Sequence, residues 1–199
     1  MCMTKPLTRV ALASRSPRRK FLLESVGLDV EVVATSYDED ARTGVSNPAE
    51  TVLQHALGKA RCAAQTGPSI LIAADTLVAV DNEVLGKPRD ADHAGAMLRK
   101  LAGRRHHVFT GFVVADRESG EQRSGVESTI VRFLPLSEAE INAYVSTGEP
   151  LDKAGAYGIL GRGALLVESV SGDFYTVVGL PLARVGASLR ELGYATIAS

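Results

Sequence analysis

Leu12-Ala13-Ser14-Arg15-Ser16-Pro17-Arg18-Arg19-Lys20 joins the end of an apolar strand to a polar turn and the start of a helix. Ser16 suits an N-cap, and Pro17 suits the first helical position, where the N–H it lacks would be unbonded anyway. A helix N-terminus offers free N–H groups and a partial positive charge, and Arg15, Arg18, Arg19 and Lys20 add full charges beside it. Acidic side chains are the stabilising choice in a first turn, so a basic one works against the helix dipole. A solvated surface helix gains nothing from that conflict. A corner that holds an anion does, and phosphate is the usual one.

Strands and helices alternate on either side of this corner. Residues 9–13 read as a short buried strand, and 17–26 as a helix with Phe21, Leu22 and Val26 inward, stopped by Gly27. A strand over 30–34 follows, and Asn47-Pro48 opens a helix to about 65 with Val52, Ala56, Leu57 and Ala60 on one face. Residues 69–80 form an apolar strand that Asp81-Asn82 turns into 83–85. A helix over 90–101 starts on Asp90 and Asp92, as the dipole prefers. Residues 107–116 and 127–134 alternate like paired strands, and Ser137 with Glu140 fits a capping box for a helix ending near Gly148. After a stretch with Gly155, Gly158, Gly161 and Gly163, residues 164–169 and 174–178 read as a hairpin around Gly172-Asp173, and a last helix starts after Pro181. Hairpins and long crossovers together predict an α/β chain: a mixed, twisted sheet with flanking helices, in one domain over 1–199 with two lobes.

With 199 residues, 45% of them hydrophobic, the chain can bury a sizeable core. Its net charge of −1 provides no global field to draw nucleic acid, so anion binding is local. The absence of Trp and the few Phe and Tyr argue against a base-stacking single-strand binder. Cys2 and Cys62 fit no metal or redox spacing, which suits a reducing cytoplasm. No apolar run approaches the roughly 18 residues of a membrane span.

Asp75 lies inside Ile70-Leu71-Ile72-Ala73-Ala74-Asp75-Thr76-Leu77-Val78. An ionised carboxylate in such a strand is costly unless something pairs it. There it can hold a divalent metal, orient an attacking water, or do both. In Gly86-Lys87-Pro88 the glycine lets backbone approach a ligand and the proline stiffens the exit, so Lys87 is aimed; alone, the tripeptide is a turn. Lys59 stands mid-helix, a place where lysine is ordinarily solvated, and gains interest only beside the other cations. His106-His107 lacks a third ligand at metal spacing and reads as structural. The glycines of 155–161 suggest tight turns or a weak phosphate loop, without Gly-x-Gly-x-x-Gly in register. Jointly these residues give a phosphate corner, two further cations, a buried carboxylate and a glycine-rich wall. Polyphosphate, metal and activated water are their sum.

The segments Leu12-Ala13-Ser14-x-Ser16-Pro17-Arg18-Arg19, Ala74-Asp75-Thr76, Gly86-Lys87-Pro88, Val108-x-Thr110-Gly111, Asp152-Lys153-Ala154-Gly155-Ala156-Tyr157-Gly158-Ile159 and Val178-Gly179-Leu180-Pro181 resemble, in order, the Maf family of nucleoside triphosphate pyrophosphatases. The resemblance implies a fold like that of the inosine triphosphate pyrophosphatases, with two lobes around a central nucleotide cleft. It also implies hydrolysis of a triphosphate to a monophosphate and pyrophosphate with Mg²⁺ or Mn²⁺, frequently by a homodimer. The 152–159 stretch is similar to the branch acting on dTTP and UTP. Carried over by motif, Asp75 is the proton acceptor, Arg18 and Thr76 bear on substrate choice, and Ser14, Lys59 and Lys87 on activity. Taken with the residue reading, the expected phosphate-binding set is Ser14, Arg15, Arg18, Lys59 and Lys87, with Asp75 also the expected metal ligand and the residue at 160 a further specificity position. That branch has Gln where this chain has Leu160, which can neither donate to nor accept from a pyrimidine edge.

The expected chemistry is attack of water at the α-phosphate. A nucleotide-binding regulator of cell division, a septum-formation inhibitor with slow turnover, is the alternative the same resemblance carries. The intact set of Asp75, Lys59 and Lys87 favours the enzyme, because a binder needs the cations but not the buried carboxylate.

Overall fold

Small residues decide how closely helices and strands approach in this protein. The computed structural model describes residues 5–38, 47–81 and 83–195; Cys2 and Asn82 lie outside them. In chain order the first elements are β1 (Lys5–Pro6), β2 (Arg9–Leu12), α1 (Pro17–Ser25), β3 (Asp29–Val32), α2 (Pro48–Arg61), β4 (Ile70–Val80) and β5 (Glu83–Leu85). Next come α3 (Ala91–Leu101), β6 (Arg105–Asp116), β7 (Gln122–Phe133) and α4 (Glu138–Val145). Three short 3-10 turns (Glu149–Asp152, Ala154–Ala156 and Arg162–Leu166) lead to β8 (Val167–Ser171), α5 (Phe174–Val178), α6 (Leu182–Glu191) and β9 (Tyr194–Ala195).

The main sheet has the order β3-β2-β4-β6-β7-β8, with β5 paired to β4. Strand β2 runs parallel to β3 and β4, whereas β4–β5 and β7–β8 are antiparallel, so the sheet is mixed as expected. A second parallel pair, β1 with β9, has only two residues per strand, too few to show alternation in sequence. The chain forms two compact units: Met1–Asp75, Thr110–Glu127 and Gly179–Ser199 in one, Thr76–Phe109 and Ser128–Val178 in the other.

In the first unit, Asn47 caps α2 by accepting from the Ala49 N–H at 3.0 Å, and Pro48 takes the first turn. The inward face of α2 presents Ala56 and Ala60, with Leu57 partly buried, to Ala11, Ala13, Leu71, Ala73 and Val113. Methyl side chains hold a helix close to a sheet. At Gly111 the approach is closer still: a Cβ there would collide with the Val52 carbonyl and stand 2.7 Å from the Leu53 nitrogen. This proximity lets long polar side chains of α2 reach β4.

The second unit packs Ala94, Met97, Leu98 and Leu101 of α3 inward and buries an aromatic group of His106, Phe133 and Tyr157. His106 Nε2 lies 2.9 Å from the Tyr157 hydroxyl, in keeping with the structural role expected of this histidine. Ser137 and Glu140 form the expected capping box on α4.

Four local expectations need correction. The inward face of α1 is Arg19, Leu22 and Leu23; Phe21 and Val26 are exposed. Ser16 occupies the N-cap position, but its side chain makes no capping bond. Helix α2 ends at Arg61 rather than near 65. Residues 174–178 form helix α5, not the second strand of a hairpin. Asp173 Oδ2 accepts from both the N–H and the hydroxyl of Thr176 at 2.7 Å, and this cap overrides a β-branched, aromatic composition.

Candidate active site

Asp75 stands on β4 after five buried apolar residues and is itself buried. Two side chains one turn apart on α2 reach it. Lys59 Nζ donates to Oδ1 at 2.7 Å, and His55 Nδ1 lies 3.0 Å from Oδ2. Lys59 also approaches the Ala74 carbonyl at 3.4 Å. Burial pushes the Asp75 carboxyl up, but the His55 hydrogen bond and the charges of Lys59 and Arg19 outweigh it. They hold the group at about 2, below its ordinary 3.8. Such a carboxylate is ionised at any working pH, so it accepts hydrogen bonds and attracts cations but stores a proton poorly.

The basic corner is organised from beneath by Arg19. Its guanidinium is buried, donating through Nε to the Gly179 carbonyl at 2.8 Å and through Nη1 to Ser14 Oγ at 2.9 Å. The Ser16 N–H also donates to Ser14 Oγ, at 3.2 Å. A hydroxyl has two acceptor positions and one hydrogen. With both acceptor positions taken, Ser14 is left with its O–H to give, the polarity an anionic oxygen requires. Arg15 is exposed and Arg18 half-buried on the same turn.

The structure therefore brings Ser14, Lys59 and Asp75 into one unit with Arg15 and Arg18. Lys59, expected to bind phosphate, makes an ion pair with the buried Asp75 carboxylate. The structure adds His55, which the sequence does not single out, and turns Arg19, expected among the cations of the basic corner, inward onto Ser14 Oγ and the Gly179 carbonyl. Both had a signal. His55 and Lys59 are four apart on one helix face, and Arg19 shares the periodicity of Leu22 and Leu23.

Thr76, Lys87 and Leu160 belong to the second unit. Thr76 is half-buried, and Lys87 and Leu160 are exposed. The turn carrying Lys87 is tied to the glycine-rich stretch, because the Gly155 N–H donates to the Gly86 carbonyl at 3.1 Å. Gly155 has φ 70° and backs onto Val78, where a Cβ would be 2.9 Å from a methyl group, so both its backbone and its surroundings call for glycine. Just beyond Gly161, the amides of Arg162 and Gly163 donate to the Glu149 carboxylate at 2.9 and 3.1 Å, joined by the Tyr144 hydroxyl at 2.9 Å. Burial pushes Glu149 up, yet these bonds hold it below its ordinary value.

Among the described residues no group of three His, Cys, Asp or Glu side chains is arranged to hold a metal. Asp75 nonetheless fits a hard cation arriving on a polyphosphate. Mg²⁺ commonly takes one or two carboxylates together with substrate phosphates. Each Asp75 oxygen, beyond its bond to His55 or Lys59, has a further lone pair to offer.

This arrangement has relatives. A protein from Symbiobacterium thermophilum named dTTP/UTP pyrophosphatase is 50% identical over 189 residues, covering 94% of this chain and 96% of its own. One of the same name from Dictyoglomus thermophilum is 43% identical, covering 94% of this chain and 98% of its own. Among solved structures, a HAM1 protein from Coxiella burnetii shares the fold at a TM-score of 0.51 and 14% identity, over 93% of this chain and 100% of its own. The family described as Maf-like protein matches residues 9–192. With that match over nearly its whole length, the chain belongs to the Maf family.

Proposed function

We propose that the protein hydrolyses a nucleoside triphosphate, dTTP, UTP or a related nucleotide, to the monophosphate and pyrophosphate. One observation carries this reading: an ionised, buried Asp75 fixed by Lys59 and His55, in the same unit as a serine hydroxyl whose only remaining capacity is to donate. The names of the relatives supply the substrate class.

In this mechanism Asp75 accepts a hydrogen bond from the attacking water and aligns it on the α-phosphate. Ser14 donates to a phosphate oxygen. Arg15, Arg18 and Lys87 offset the charge of the phosphates and of the departing pyrophosphate. Lys59 acts on the carboxylate rather than on the phosphates. A divalent cation, Mg²⁺ or Mn²⁺, bound to Asp75 and the phosphates would lower the pKa of a bound water and screen developing charge. Leu160 offers no hydrogen bond to a base, so discrimination rests on Thr76 and Arg18.

The test is a panel of normal and modified triphosphates with Mg²⁺ or Mn²⁺, reading both products. Monophosphate and pyrophosphate in equal amounts, with dTTP and UTP among the good substrates, is the expected outcome. Diphosphate with inorganic phosphate contradicts the reading, and so does tight binding without turnover, which returns the protein to the class of nucleotide-binding regulators.

A further inference from the structure

His55 belongs neither to the basic corner nor to the cations of the proposed site, yet it is among the few buried polar side chains and makes a bond to the reacting carboxylate. An ionised carboxylate can only accept, so Nδ1 of His55 carries the hydrogen and donates to Oδ2. Lys59 holds the other oxygen. A carboxylate held at one oxygen can rotate about that contact. Held at both, it keeps one plane.

The histidine is itself held from behind. Residues 34–37 dock on the end of α2 and the residues just after it through a run of bonds. The Ala64 N–H donates to the Ala34 carbonyl at 2.8 Å, the Thr35 hydroxyl to the Lys59 carbonyl at 3.1 Å, and the Ser36 N–H to the Cys62 carbonyl at 3.2 Å. The segment ends with the Tyr37 ring laid across Gly58, where a Cβ would collide with it, and 5.9 Å from the His55 ring between centroids. Gly58 costs helix propensity in the middle of α2. Here the missing side chain is what seats the tyrosine against the histidine.

We propose that His55 is a positioning residue for the hydrolysis: seated by Tyr37 over Gly58, it fixes the plane of the Asp75 carboxylate through Oδ2 while Lys59 holds Oδ1. The role rests on the pyrophosphatase reading above. It differs from a purely structural part because the Asn side chain places an amide N–H close to where His Nδ1–H stands, so the bond can be restored without the ring.

The experiment compares wild type, His55→Leu, His55→Asn and Gly58→Ala, each shown to be folded by its circular dichroism and thermal transition, in steady-state pyrophosphate release from dTTP and UTP. Loss of a supporting hydrogen bond to a site carboxylate is expected to cost about 10–100-fold. His55→Leu loses that factor in kcat with KM little changed, because His55 does not touch the nucleotide. His55→Asn recovers most of it, and Gly58→Ala, by displacing Tyr37, lowers kcat several-fold. Wild-type turnover with His55→Leu equal to it overturns the positioning role and leaves the enzymatic reading intact; so does an equal loss in the leucine and asparagine variants. Wild-type protein that releases no pyrophosphate from either nucleotide overturns the reading, and the role with it.

Discussion

Lys59 Nζ and Asp75 Oδ1 meet at 2.7 Å with each side chain less than a tenth exposed. Removing one partner of such a pair leaves a buried charge without compensation, which typically costs about 3–5 kcal/mol. Lys59→Met keeps the aliphatic stem and removes the ammonium. Because His55 and Arg19 still support the carboxylate, the expected loss is near the low end, about 3 kcal/mol, read by urea unfolding. Adding Asp75→Leu removes the stranded charge, so the double variant regains stability while remaining inactive.

Ser14→Ala tests the hydroxyl beneath the basic corner. The Ser16 N–H and Arg19 Nη1 lose their shared acceptor, at a cost of about 1–3 kcal/mol in stability. Turnover is expected to fall by about 10²-fold, the size of effect seen when one preorganised donor to developing charge is deleted. Ser14→Thr retains the hydroxyl and keeps more of both.

Gly111→Ala would push β6 against the backbone of α2 at Val52 and Leu53. Overpacking of this kind costs about 1–3 kcal/mol. Because α2 carries both His55 and Lys59, kcat is expected to fall with stability. A control at the exposed Gly120, where a Cβ meets nothing within 4 Å, lacks any such clash, though its φ of 75° favours glycine; kcat there stays at the wild-type level.

Much of this was legible in the residues, and what was missed shares a cause. Local chemistry is legible: helix starts at Asn47-Pro48 and at Asp90, the Ser137–Glu140 box, and the apolar strand that buries Asp75. At residues 174–178 composition speaks for a strand while one carboxylate, Asp173, caps a helix. The ion pair of Asp75 with Lys59 joins residues 16 apart, and the Arg19 bond to the Gly179 carbonyl joins residues 160 apart. No periodicity reports such contacts. The glycines of 155–161 suggest tight turns, and Gly155 makes one with its positive φ, whereas the bonds of the 162–163 amides to Glu149 leave no mark in the pattern.

His106 gives a pH dependence separate from the site. Burial lowers its pKa from 6.5 to about 4, with His107 adding to the effect. Between those values the unfolded chain binds a proton on this ring that the folded chain refuses, so stability is full above about pH 6.5 and declines as pH falls toward 4. The whole decline attributable to this ring is about 3 kcal/mol. Denaturant unfolding across this range is expected to show a steeper pH slope for wild type than for His106→Phe, which has nothing to titrate there. Equal slopes would rule out the buried neutral imidazole.

Asp75→Asn preserves the shape of the side chain while removing its charge, and product release by this variant bears on the whole mechanism. With a circular dichroism spectrum matching wild type, pyrophosphate release from dTTP and UTP is expected to fall by about 10²–10³-fold, the size of effect when one preorganised electrostatic group is deleted. A folded Asp75→Asn protein that turns over at the wild-type rate contradicts the assignment of this carboxylate to the reaction.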